Sequence, residues 1–293
     1  MRIASHAPSR SAGLRAWVVC LGCGLALFTV MGLGVNAFTV YQPYLLRVHG
    51  FTNAQGSWIT TVRSLFALLS MLTVDRLCRR PGLRNTMVLG MACFVGSYLL
   101  FGFARGFSAY CGGAVLSGLA YGYGGMIPLT LVISRWFPTG RGFALGMAAA
   151  GSGISTIFAP PLITGAIQAL GLSAAFLWEA AAGVLLTLLV LLLVRDSPDC
   201  PELQRAGDSA PGGRGEGLSR PLLGMVLLSA FLTGGPCGPG FSHLTVLYTS
   251  AGFSSGTAAL LMSYLGLVLI AAKVLYGWLS DRLGSRMANS LIF

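Results

Sequence analysis

Two residues stand where a charge is costly. Arg63 and Lys273 each lie inside a long apolar stretch of the 293-residue chain. A cation at the centre of a bilayer costs about 2.5–3.5 kcal/mol on insertion scales, and a water-filled cavity, an acidic partner or a bound anion usually offsets it. Glu179 is the one acid inside such a stretch, and one carboxylate cannot neutralise two cations. The surplus positive charge points to a small anionic solute, with a small carboxylate as the simplest candidate. The bland alternatives are local pairs. Lys273 can pair with Glu179, and Arg63 with a helix carbonyl or a neighbour; Glu179 can serve either cation or carry a proton.

Further polar tips stand on apolar helices. Asn36, Tyr41, Tyr121 and Tyr123 are candidates for lining a cavity around the two cations. Tyr41 equally suits an interfacial anchor, since tyrosine concentrates at membrane surfaces. His243 falls near the outer end of its span, where it serves either gating or packing. Catalytic chemistry is poorly supplied. The histidines number three (His6, His49, His243), and no His/Asp/Glu cluster lies inside the apolar stretches. Neither a metal set nor a general acid–base pair can be assembled, so neither an enzyme nor a cofactor or metal is expected. Cys20 and Cys23 form a C-x-x-C inside an apolar segment without a matching pair, and read as small packing residues.

The elements that position these residues are membrane helices. Hydrophobic residues make up 55% of the chain and charged residues 9%, and the mean hydropathy is +0.76. A soluble domain averages about a quarter charged. The apolar runs reach the roughly 20 residues needed to cross a bilayer and do not alternate as barrel strands would. Eight spans are expected, at about 16–44, 57–74, 84–104, 108–134, 142–168, 174–194, 222–248 and 257–279, with the opening of a ninth at 287–293. The net charge of +11 does not mark a nucleic-acid binder, because no basic face with interleaved aromatics appears. Fifteen of the 19 Lys and Arg fall in connections on one side of these spans, two on the other and two inside. The positive-inside pattern then places the N-terminus in the cytoplasm of a multi-pass protein of the cell membrane.

The same helices set depth. Lys273 precedes Asp281 by eight residues and Arg63 precedes Asp75 by twelve, about 12 Å and about 18 Å of helical rise. In a hydrocarbon core about 30 Å thick, both fall near the midplane and are expected to share one wet pocket. Residues 195–220, rich in Pro, Gly and charge, read as a solvated linker after six spans. The fourth and fifth spans are rich in glycine, which lets membrane helices approach closely. Pro160 and Pro161 are expected to bend the fifth span, and Gly234–Gly240 (GGPCGPG) to interrupt the seventh as a gate or hinge.

The chain also repeats itself. Gly50 to Arg80 and Gly252 to Arg286 share an outline: GF, an apolar segment with one cation, then a D-R-L loop. D-R-L-C-R-R at 75–80 and G-W-L-S-D-R-L-G-S-R at 277–286 resemble the loop motif of major facilitator superfamily transporters. S-R-W-F-P-T-G-R-G-F-A-L-G-M-A-A-A-G-S-G at 134–153, A-P-P-L-I-T-G after it, and S-H-L-T-V-L-Y-T-S-A-G-F-S at 242–254 support the likeness. Within the superfamily the chain looks most like the oxalate/formate antiporter and monocarboxylate carrier branch. The resemblance implies an all-α major facilitator fold with a six-helix N-terminal bundle (1–194), a cytoplasmic linker (195–220) and a partial C-terminal bundle (221–293). It implies a monomeric secondary transporter or antiporter that moves a small anionic solute across the lipid bilayer by alternating access. Lys273 stands where the family uses a basic residue. Asp75, Arg76, Arg80, Asp281, Arg282 and Arg286 fall on the motifs that clamp the halves together, with Asp281 meeting the inner end of the fifth span.

Some positions depart from the family. Met71 and Cys78 replace usual glycines, Leu269 stands where monocarboxylate carriers place an acid, and Asn36 where they place a lysine. The missing acid at Leu269 weakens a proton-coupled reading and favours anion exchange or an unknown coupling. The family has twelve spans, so the rival reading is a truncated, non-transporting membrane protein of the same fold. The coding sequence beyond codon 293 discriminates the two.

Overall fold

In lipid every backbone N–H and C=O needs an internal partner, so apolar segments of this length fold as helices. The computed structural model describes residues 10–79, 82–137, 139–195 and 220–292. Every element among them is helical. The first rod has three parts: α1 (Arg10–Leu27), a π-helical stretch (Phe28–Ala37) and α2 (Phe38–His49). There follow α3 (Asn53–Arg79), α4 (Leu83–Phe103), α5 (Phe107–Gly124), α6 (Met126–Trp136), α7 (Arg141–Leu170) and α8 (Leu172–Leu193). Then come α9 (Arg220–Ser250) and α10 (Ser255–Ile292). Most of the expected linker, residues 196–219, lies outside the described residues.

Seven segments among the described residues are long and apolar enough to cross a membrane. With α9, a helix of 31 residues, they cover the positions of the eight expected spans. The fourth expected span is corrected in one respect: it is broken between α5 and α6. Gly125 leaves the helical region (φ −87°, ψ −151°). Pro128 explains why, since a proline removes the bond to the carbonyl four residues back and crowds it, here Gly124. The interruption expected at Gly234–Gly240 is also corrected. The α9 backbone is helical throughout. Pro160 and Pro161 lie inside α7, which stays helical across them. In hydrocarbon a broken helix would expose unpaired backbone groups, so membrane helices tolerate Pro and Gly that would end a helix in water.

Tight turns join the helices. Gly50 and Gly252 occupy corresponding places in the two repeats, and both take positive φ, 65° and 91°. Only glycine adopts that region without a Cβ penalty. Gly284 breaks α10 at φ 79°, ψ 155°, after which the helix resumes to Ile292.

Close backbone approach at small residues holds the helices together. A methyl on Gly118 would strike the Arg63 carbonyl of α3, and one on Gly90 of α4 would strike Gly124. The longest such seam joins α7 to α10. Cβ atoms at Gly142, Gly146 and Gly153 would meet the Gly277 carbonyl at 2.7 Å, the Lys273 carbonyl at 2.6 Å and Ile270 Cγ1 at 2.6 Å. Dispersion and close packing bind membrane helices where hydrophobic burial no longer discriminates. A second adhesive is aromatic: Phe38, Tyr41, Tyr98, Phe101, Tyr110 and Phe176 join α2, α4, α5 and α8 in one cluster.

Candidate functional site

The site centres on the π-helical stretch. Such windings shift backbone groups out of the usual ladder and occur often at functional positions. On one flank, Arg63 of α3 is 7% exposed. Its Nη1 donates to the Gly34 carbonyl at 3.4 Å, and the guanidinium lies 5.3 Å from the centre of the Phe38 ring. On another flank, Asn36 Nδ2 donates to Thr156 Oγ1 of α7 at 2.8 Å. Thr156 donates in turn to the Ser152 carbonyl at 2.8 Å. Lys273 of α10 reaches the same place: Nζ donates to Ser152 Oγ at 2.5 Å and to the Ala149 carbonyl at 3.4 Å. Each cation thus has its own neutral partners. The path between them runs through Gly34 and Asn36, two residues apart.

Glu179 is elsewhere. It is 1% exposed, and its Oε2 accepts from Tyr41 Oη at 2.6 Å. The Tyr41 ring stacks on Phe176, centroids 4.1 Å apart. The expected pairing of Glu179 with Lys273 or Arg63 is therefore corrected, because Tyr41 spans from α2 to α8 and takes the carboxyl. The sole ion pair among the described residues is Asp75–Arg79 at 3.1 Å, on the exposed end of α3. Tyr41, expected in the cavity, is fully buried in the aromatic cluster. Tyr123, also expected at the cavity, pairs its hydroxyl with Thr73 Oγ1 of α3 at 3.0 Å.

Glu179 Oε1 is buried without a partner. Removing the remaining hydroxyl partner should then be felt. Tyr41→Phe is expected to destabilise by about 1–3 kcal/mol, the cost of an unsatisfied buried polar group. Tyr41→Phe with Glu179→Leu should recover most of that, since deleting both partners is nearly neutral. Thermal unfolding of the three variants checks this.

Two contacts join α2 to α9 at the end of the bundle away from the arginine-rich loops. Gln42 Nε2 lies 3.2 Å from His243 Nδ1, and Thr245 Oγ1 donates to Thr39 Oγ1 at 3.2 Å. At the opposite end, the Asp281 carboxylate accepts from the Gly142 and Phe143 amides at 2.8 and 2.7 Å. A carboxylate suits this place, where the first turn of α7 leaves N–H groups free. Arg282 lies over the Trp278 ring at 4.3 Å. Arg76 is exposed, Arg286 follows the Gly284 break, and Arg80 lies outside the described residues.

The family model described as Major Facilitator Superfamily matches residues 22–293. The chain belongs to the major facilitator superfamily. It is 27% identical over 279 residues to the uncharacterized MFS-type transporter YcxA of Bacillus subtilis, covering 91% of this chain and 67% of that one. It is 25% identical over 306 residues to monocarboxylate transporter 12 of Rattus norvegicus, covering 91% and 60%. Among solved structures it resembles the crystal structure of a D-xylose-proton symporter, with TM-score 0.67 and 15% identity over 91% of this chain and 68% of that one. That likeness speaks for the fold alone. The chain spans between 35% and 67% of the length of the first curated relatives it matches.

Within this major facilitator chain, sequence reasoning missed four side chains: Ser152, Thr156, Thr39 and Gln42. Ser152 and Thr156 carry a readable signal, because they lie four apart on one face of a glycine- and alanine-rich span.

Proposed function

We propose that this membrane transporter moves a small organic anion, a mono- or dicarboxylate such as oxalate, formate, lactate or pyruvate, by alternating access. One observation carries the reading: Arg63 and Lys273 lie within membrane helices, and the hydrogen bonds described for both run to neutral groups. A desolvated cation without a counter-charge is stabilised by an anion that enters beside it. Lys273 is the primary contact, and Asn36, Ser152 and Thr156 supply neutral polar groups next to it. Residues 1–194 form one rocking unit, 221–293 contribute to the other, and 195–220 link them. The arginine-rich end faces the cytoplasm of the cell membrane, with the N-terminus inside, and the protein acts as a monomer. Asp281 of α10, bonded to the first turn of α7, closes that end, and the His243–Gln42 and Thr245–Thr39 contacts close the other. Anion exchange is the favoured coupling, since Leu269 supplies no acid beside Lys273. Uptake of labelled oxalate, formate, lactate and pyruvate into proteoliposomes tests the proposal. Uptake of at least one, stimulated by the same anion on the far side, is expected; uptake of none would end it.

A further inference from the structure

Outside the Thr39–Thr245 contact lies a second polar place, distinct from the central cations. A cavity of about 190 Å³ sits between the ends of α2 and α7 on one side and α9 and the start of α10 on the other. It is smaller than the roughly 300–1,000 Å³ of sites for drug-sized ligands, and suits a small ion with its waters. Arg47, one of its walls, is exposed, and among the described residues no carboxylate lines it. Thr164 of α7 is 5% exposed, and its Oγ1 has no hydrogen-bond partner. The Tyr44 hydroxyl of α2 is buried and also without one. A buried hydroxyl left so is costly, and threonine in a helix divides between two χ1 rotamers, which lets Oγ1 turn toward a ligand. Ser255, the first residue of α10, stands at the rim. Ser254 caps that helix through Thr257 N and Ala258 N, leaving the positive end of the dipole over the cavity.

Arg47 is the one charged side chain among the described residues that line this cavity, and both unpartnered hydroxyls can donate to an anion. We infer that it is a binding site for a small carboxylate, held by Arg47, Tyr44 and Thr164 and bridging α2 and α7 to α9 and α10. The bound anion ties together the elements that meet at Gln42–His243 and Thr39–Thr245, so occupancy stabilises the closed form of this end. The site does not depend on Lys273 and stands apart from the function proposed above.

The test is thermal unfolding of the purified chain in detergent, with acetate replacing chloride at constant ionic strength. A saturable rise in Tm with acetate, absent with the neutral isostere acetamide, is the expected result. Measured in the Lys273→Ala background, which removes the central contact, Arg47→Gln should raise the acetate midpoint about tenfold or more, and Thr164→Val or Tyr44→Phe about three- to tenfold each. These substitutions are conservative or exposed, so folding is retained. An equal response to acetamide, or one that survives Arg47→Gln, overturns the site. A response lost with Lys273→Ala instead puts the anion at the centre, and no difference from chloride overturns the carboxylate assignment.

Discussion

Lys273→Ala should leave a folded protein that takes up no anion at ordinary substrate concentrations. The lysine donates to Ser152 Oγ and to the Ala149 carbonyl, both neutral. Placing a cation at this depth costs about 2.5–3.5 kcal/mol, so the alanine variant loses that burden and a weak tie between α7 and α10 together. Its Tm should stay level or rise. Anion binding moves the other way. A hydrogen bond to a charged group contributes about 1.5–3 kcal/mol, so anion affinity should fall roughly ten- to a hundredfold. Ser152→Ala is the companion variant. It frees Lys273 from its shortest contact and should tighten anion binding by a few-fold, because the anion no longer displaces a hydroxyl from Nζ. Proteoliposome uptake and thermal unfolding, measured on the same preparations, check both. Unchanged uptake in Lys273→Ala would remove the residue from the mechanism.

Much of the fold was legible because the bilayer simplifies the problem. Helix length and helical state follow from hydrocarbon thickness and backbone satisfaction, which leave few alternatives. The repeated outline from Gly50 and from Gly252 was legible for the same kind of reason, since a positive φ at a loop narrows the choice of residue. The centre was legible only in outline. Arg63 and Lys273 announced themselves by cost, but their partners did not. Tyr41 on an apolar helix reads alike whether its hydroxyl meets a solute, the interface or Glu179, which lies 138 residues away. The π winding of Phe28–Ala37 left no mark either, because a segment apolar on all sides has no periodicity to betray a change of pitch. The break at Gly125 was hidden by hydropathy that runs across it, although Pro128 was the clue.

The seam between α7 and α10 carries the other large expectation. Gly277→Ala adds one methyl, yet its Cβ would strike the Gly142 carbonyl and lie 3.2 Å from the Gly146 Cα. Both obstacles are backbone, so no rotamer change relieves them. The helices must part, and the displacement reaches Asp281, one turn on, whose carboxylate holds the Gly142 and Phe143 amides. Overpacking typically costs about 1–3 kcal/mol. To this is added the loss of two charge-assisted bonds at a helix N-terminus. A Tm fall of several degrees and loss of uptake are expected together. The contrast is Gly165→Ala on the same α7, where a Cβ meets nothing within 4 Å. That change should be neutral or stabilise by about 0.4–1 kcal/mol, since alanine restricts the unfolded chain and suits a helix. If both variants behave alike, close approach of α7 and α10 does not hold this helix bundle together. If only Gly277→Ala fails, the two helices that carry Ser152 and Lys273 depend on contact at bare backbone, and the spacing of that contact sets how far apart the central groups stand.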